Sequence, residues 1–132
     1  MIKRLVACIL VCMLFIGISS VALANEVTPC ADLYFDSASA FLASNKLVVF
    51  DCVAYDIYDR IAITFVWLEQ EMNGQWVFAR TLPPPIYVAT NTLAYGAEIS
   101  YSSYIGHGTF RIGFTVNADG YTISRYSNSR TF

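Results

Sequence analysis

Apolar and polar residues alternate along most of the chain after residue 33, with the period of two that is typical of half-buried β-strands. No stretch of this region keeps the 3.6-residue apolar period of a helix for more than about two turns. The clearest strand runs from Phe110 to Val116 and is followed by an Asp119-Gly120 hairpin turn. The pattern predicts an all-β domain.

Seven strands are predicted between turn-forming sequences. They lie at about 34–43, 47–55, 61–70, 75–80, 93–103, 110–117 and 121–126. Asn73-Gly74 supplies a hairpin turn, and Pro83-Pro84-Pro85 ends the fourth strand because proline lacks a backbone donor. The polar segment 56–60 is predicted to form a corner, with one helical turn as an alternative. Seven short strands favour a two-sheet sandwich, and a small closed barrel is the alternative.

The predicted core comes from the apolar positions of these strands. It contains Phe50, Val66, Leu68, Ile99, Phe110, Ile112, Phe114 and Val116. The third strand differs from the others because it is apolar on both faces. Because Val66 and Leu68 are assigned to the core, Phe65 and Trp67 are expected to face outward.

An outward pair of rings at Phe65 and Trp67 can be joined by Trp76 or Phe78 of the next strand. Exposed aromatic surface of this kind stacks on sugar rings or docks a protein partner. Two other interpretations stay open. Neighbouring segments can cover the rings, or the register can be shifted by one residue, which would turn them into the core.

Residues 1–24 have the pattern of a cleavable signal peptide. Two basic residues precede a long apolar run, and the small residues Ala22 and Ala24 occupy the −3 and −1 positions before the predicted cut. An uncleaved anchor is the alternative, since the run is long enough to span a bilayer. No basic stop-transfer flank follows it, so we expect cleavage. Residues 25–132 then form one secreted domain with no stable membrane anchor.

Removal of the signal leaves six basic and ten acidic residues, a net charge of about −4. An acidic surface disfavours binding to nucleic acid and to anionic lipid. All nine tyrosines and both tryptophans lie in the remaining part. The expected partners are therefore extracellular proteins or glycans.

Cys30 and Cys52 are the two cysteines that remain after cleavage. An oxidising destination makes a disulfide between them the expected state, and such a bridge would stabilise the fold by about 3 kcal/mol. Two buried thiols or an intermolecular bridge are the alternatives. A zinc site is disfavoured because the chain has a single histidine.

No group of residues in the sequence has the spacing of a catalytic, metal or cofactor site. His107 lies between two glycines in a predicted turn, and any histidine-dependent mechanism would have to use it. The carboxylates fall mostly on turns or outward strand positions, which suits solvated charges better than a hydrolytic pair. Asp56 and Asp59 offer a calcium alternative, but their spacing is unlike that of an EF-hand. We expect a protein that is not an enzyme and needs no cofactor.

The run from Phe110 to Gly120 resembles the penultimate strand and turn of fibronectin type III domains, although Phe110 stands where that family usually has tyrosine. The mature chain also resembles a family of small secreted proteins of unknown function from Gram-positive gut anaerobes. That resemblance rests on the segments 50–54, 58–62, 91–93 and 108–111 and on Trp76 after its Asn-Gly turn. It implies an immunoglobulin-like two-sheet β-sandwich and an export route, with no activity attached.

These observations predict an exported, non-enzymatic module that binds or adheres to an extracellular protein or glycan. The candidate binding face consists of Phe65, Trp67, Trp76 and Phe78. A structural cell-envelope protein that self-associates through an edge strand or this face is the alternative.

Overall fold

A computed structural model of the chain describes residues 32–132. These residues form seven strands and no helix. The strands are β1 (Phe35–Leu42), β2 (Leu47–Met72), β3 (Gln75–Leu82), β4 (Val88–Ser100), β5 (Thr109–Ala118), β6 (Tyr121–Tyr126) and β7 (Arg130–Thr131). The all-β class is thus confirmed. The predicted signal, with Ala22 and Ala24, and Cys30 lie outside the described residues.

Strand β2 is continuous over 26 residues, where the sequence predicted two strands and a corner. Segment 56–60 belongs to the strand, so the alternative helical turn is wrong, and the predicted corner coincides with an irregularity in the β2–β4 pairing between Val53 and Tyr58. The backbone amides of Asp59 and Arg60 donate to the two carboxylate oxygens of Asp119, at 2.9 and 3.0 Å. A side chain from the β5–β6 turn therefore satisfies amides of the extended segment, which can stay a strand.

The seven strands are antiparallel and join in one hydrogen-bonded sheet because β2 has four neighbours. Its first part pairs with β1 and β4, and its last part pairs with β3 and β5. Strands β6 and β7 both pair with β5. The segment 83–87 runs from β3, beside the last part of β2, to β4, which borders the first part. Leu82 pairs with Val66 and Val88 pairs with Ala62, so the proline run connects the two strands near the middle of β2.

Side chains from both parts of β2 share one buried cluster. The predicted core residues are buried except Ile99, which is half-buried and packs against the cluster. Phe50 of β2 meets Phe114 of β5 edge to face, with ring centroids 5.3 Å apart, a favourable aromatic geometry. Strand β4 begins at Val88, earlier than predicted, and the short β7 was not predicted.

Candidate functional site

A β-bulge at Thr64 and Phe65 sets the direction of the aromatic side chains in β2. Ile63 pairs with Val116 and Phe65 pairs with Thr115, so one extra residue stands in β2 between these pairs. Ile63 and Val66 are both buried across the bulge, whereas Phe65 is 45% exposed. The bulge therefore keeps apolar residues in the core on both sides while Phe65 lies on the outer surface.

The outer surface of this part of the sheet carries five aromatic side chains, which we call the aromatic face. It consists of Phe65 and Trp67 of β2, Trp76 and Phe78 of β3, and Tyr126 of β6. Trp67 and Trp76 are half-buried, and Phe78 is 58% exposed. The rings of Phe65 and Trp67 are stacked, with centroids 5.3 Å apart and planes inclined by 29°.

Arg111 of β5 holds the rings of neighbouring strands together. Its guanidinium carbon lies 4.5 Å from the ring centroid of Trp76 and 3.8 Å from that of Tyr126. Trp67 in turn meets Tyr126 edge to face at 5.8 Å. Each cation–π contact contributes about 0.5–1 kcal/mol at an exposed site. The cation thus links strands β3 and β6 across the face.

Glu69 is the anionic partner within the aromatic face and is almost buried. Its Oε2 accepts from Arg111 Nε at 2.7 Å and lies 2.6 Å from Arg111 Nη2, and its Oε1 accepts from Trp67 Nε1 at 3.1 Å. Burial alone would raise the pKa of Glu69, but the bonds from Arg111 and Trp67 and the charge of Arg111 lower it overall. The carboxylate is therefore held ionised.

Gly113 lies directly beneath the indole of Trp67. The two residues are paired across β2 and β5, and a Cβ built on Gly113 would overlap the indole ring. A side chain at this position would push the indole away from Glu69. Glycine here is required for close approach, because the conformation of Gly113 itself is ordinary.

The sequence identified four rings of this face but missed Arg111, Glu69, Gly113 and Tyr126. The alternation of β5 could have identified two of them, because it places Arg111 and Gly113 on the outer face of the strand, away from the core residues. Their contact with Trp67 and Trp76 depends on strand pairing, which the alternation does not specify. The missed residues are those that fix the rings in place.

Neither His107 nor the pair Asp56 and Asp59 belongs to a cluster of potential metal ligands among residues 32–132. His107 is exposed in the loop before β5. Between residues 32 and 132, no group of three or more histidine, cysteine or acidic side chains could hold a metal ion, and Asp56 and Asp59 are both exposed. Within the same range, no helix is long and apolar enough to cross a membrane.

Cys52 is buried between β1 and β4, where it pairs with Ala38 and Tyr95. Burial, helped by the nearby charge of Asp32, raises the pKa of its thiol to about 11. The thiol would be a poor nucleophile at neutral pH.

A disulfide between Cys30 and Cys52 stays a prediction, since Cys30 is outside the described residues. We expect mass spectrometry of the exported protein to show a loss of two hydrogens and a cross-linked peptide pair. Reduction should lower the free energy of unfolding by about 3 kcal/mol. Two alkylatable thiols in unfolded but unreduced protein would contradict the bridge.

No family model matches the chain, and comparison with curated proteins and with solved structures gives no match either.

Proposed function

We propose that this protein is an exported, non-enzymatic binding module whose aromatic face contacts a glycan or a protein surface outside the cell. The observation that carries the proposal is the pair of stacked rings at Phe65 and Trp67, with Phe78 exposed on the same surface. Exposed aromatic side chains lower the solubility of a protein, and clusters of them usually mark an interaction surface.

The inferred framework is an immunoglobulin-like two-sheet sandwich. In it, the first part of β2 with β1 and β4 faces the last part with β3, β5 and β6. The contact between Phe50, beside β1 and β4, and Phe114 of β5 supports this arrangement, because these side chains belong to different parts of the sheet.

The rigidity of the aromatic face suits it to binding. Arg111 lies between two rings, and Glu69 bonds both Arg111 and the Trp67 indole, so few rotamers need to be fixed when a ligand arrives. Hydroxyl groups border the aromatic face, where the side chains of Thr115 and Ser124 are hydrogen-bonded to each other at 2.8 Å. An aromatic surface with hydroxyl groups at its edge favours a glycan ligand over a protein surface.

Phe65→Ala is the variant that tests this function. We expect it to weaken binding to glycans on an array by about tenfold or more, because burying a phenylalanine ring contributes about 2 kcal/mol. Phe65 is the appropriate position because Trp67 also covers Gly113, so its removal would change stability as well as binding. The unfolding temperature of Phe65→Ala should fall by only a few degrees, because the change removes the stacking contact with Trp67 but no hydrogen bond of a buried group.

Phe41→Ala is the matched control, since Phe41 is 53% exposed on β1, outside the aromatic face. It should leave glycan binding unchanged. Equal binding by Phe65→Ala and the wild type would refute the role of the face. If no glycan binds and sedimentation shows self-association that Phe65→Ala abolishes, the alternative of a self-assembling envelope protein is supported instead.

A further inference from the structure

Within the part of the chain that the structure describes, strand β4 has one unpaired edge. Among residues 32–132 it pairs with β2 alone, although it is 13 residues long. The outer edge of β1 is instead partly covered by side chains. Asn128 exchanges hydrogen bonds of 2.8 and 3.1 Å with the backbone of Leu42, and Arg130 donates a third to the Leu42 carbonyl. An edge with free backbone donors and acceptors can accept another strand.

The segment 83–87 runs beside β4 without pairing with it. Prolines at positions 83–85 have no backbone donor, which prevents a regular ladder. Two buried tyrosines hold the segment at both ends: Tyr101 Oη donates to the carbonyl of Pro83 at 2.7 Å, and Tyr95 Oη donates to that of Tyr87 at 3.1 Å. Burial raises the pKa of Tyr95 to about 12, so its hydroxyl stays a donor at neutral pH.

Two grooves flank β4. An apolar groove of about 460 Å³ lies between segment 83–87 and the residues Ala97 and Ile99. A second groove of about 300 Å³ is lined by Val49, Phe50, Asp51 and by 96–98 of β4. Glu98 borders both grooves, and neither lining contains a basic residue.

Asp51 and Gly96 are paired across β2 and β4. A Cβ at Gly96 would lie 3.7 Å from Asp51 Oδ1, so the absence of a side chain leaves that carboxylate open. Glu98 is two residues along β4 and points to the same face. The groove on this face therefore has two carboxylates, while the other groove is lined mostly by apolar residues together with Glu98.

We propose that the open edge of β4 binds an extended segment of another protein in which apolar and basic side chains alternate. Side chains of an added strand point alternately to the two faces. One set would enter the apolar groove beside Pro83–Tyr87, and the other would meet Asp51 and Glu98. Main-chain hydrogen bonds supply affinity in this mode of recognition, and the grooves supply specificity. This site is separate from the aromatic face and does not depend on it.

A short capped peptide that alternates valine and lysine is the probe. We expect it to bind in NMR titrations, with the largest amide shifts in β4 and in segment 83–87. A peptide that alternates valine and glutamate should bind at least about tenfold more weakly, because like charges would meet at Asp51 and Glu98. Methylation of the peptide nitrogens on one edge should abolish binding, since it removes the main-chain donors.

Glu98→Lys should weaken binding of the lysine peptide by about tenfold or more. Glu71→Lys is the matched control, because Glu71 is also exposed but lies at the far end of β2, and its effect should be small. Phe65→Ala should bind the peptide normally, which separates this site from the aromatic face. Equal affinity for the two peptides, indifference to methylation, or equal effects of the two lysine variants would overturn the proposal. So would dimerisation of the protein through β4 that Glu98→Lys abolishes.

Discussion

Gly113→Ala is expected to destabilise the protein by about 3 kcal/mol, although it adds a single methyl group. The added carbon would overlap the indole of Trp67, which is held by Glu69 and by the rings of Phe65 and Tyr126. The indole must rotate away and lose these contacts, or β5 must move from β2. Urea denaturation followed by circular dichroism measures the change.

Gly96→Ala provides the matched control, because Gly96 is also a strand glycine and its nearest neighbour would be a carboxylate oxygen at 3.7 Å. It should be neutral or slightly stabilising, since alanine restricts the unfolded chain. Adding Trp67→Ala to Gly113→Ala should recover part of the loss, with a coupling of about 1–3 kcal/mol. Additive effects in this double variant would contradict the steric explanation.

Arg111→Met is expected to destabilise the protein by about 2–3 kcal/mol at neutral pH. Breaking a buried ion pair costs about 3–5 kcal/mol, and the side chains of Arg111 and Glu69 are 23% and 12% exposed, which reduces the effect. The substitution leaves the Glu69 carboxylate with the bonds from the Trp67 indole and the Tyr126 hydroxyl. It also removes both cation–π contacts, to Trp76 and Tyr126. Urea titration at neutral pH gives the size of the loss.

The dependence of this effect on pH identifies its cause. The pKa of Glu69 is lowered in the folded protein, so its stabilisation is present above the ordinary pKa of 4.5 and is lost as the pH falls through the folded value. Without Arg111, only the bonds from Trp67 and Tyr126 oppose the effect of burial, so the pKa of Glu69 would be higher than in the wild type and the carboxylate would be protonated at a higher pH. The difference between Arg111→Met and the wild type should therefore shrink below about pH 4.5.

Arg125→Met is the control for the loss of a positive charge. Arg125 is exposed on β6, and its guanidinium bonds the carbonyl of the preceding residue. Its substitution should change the free energy of unfolding by less than about 0.5 kcal/mol at any pH. A loss for Arg111→Met that stays constant between neutral and acid pH would show that Glu69 is not its cause.

The candidate sites differ in how far the sequence could identify them. Alternation around Val66 and Leu68 was enough to place Phe65 and Trp67 on the outer surface, because side-chain direction within a strand is local. The grooves beside β4 were not foreseen. The apolar groove depends on hydrogen bonds from Tyr95 and Tyr101 to segment 83–87, and the acidic groove depends on the pairing of β2 with β4. Such contacts form only when distant parts of the chain have been brought together.

The sequence by itself determined the all-β class, the turn at Asn73-Gly74, and the division of most strands into inner and outer faces. These features follow from backbone geometry over a few residues. The tertiary structure decided that β2 continues through segment 56–60, because Asp119 supplies acceptors from another turn. It also decided that Arg111 lies between Trp76 and Tyr126. The period of two determines which face of the sheet a side chain is on, but it does not determine which strands lie beside it.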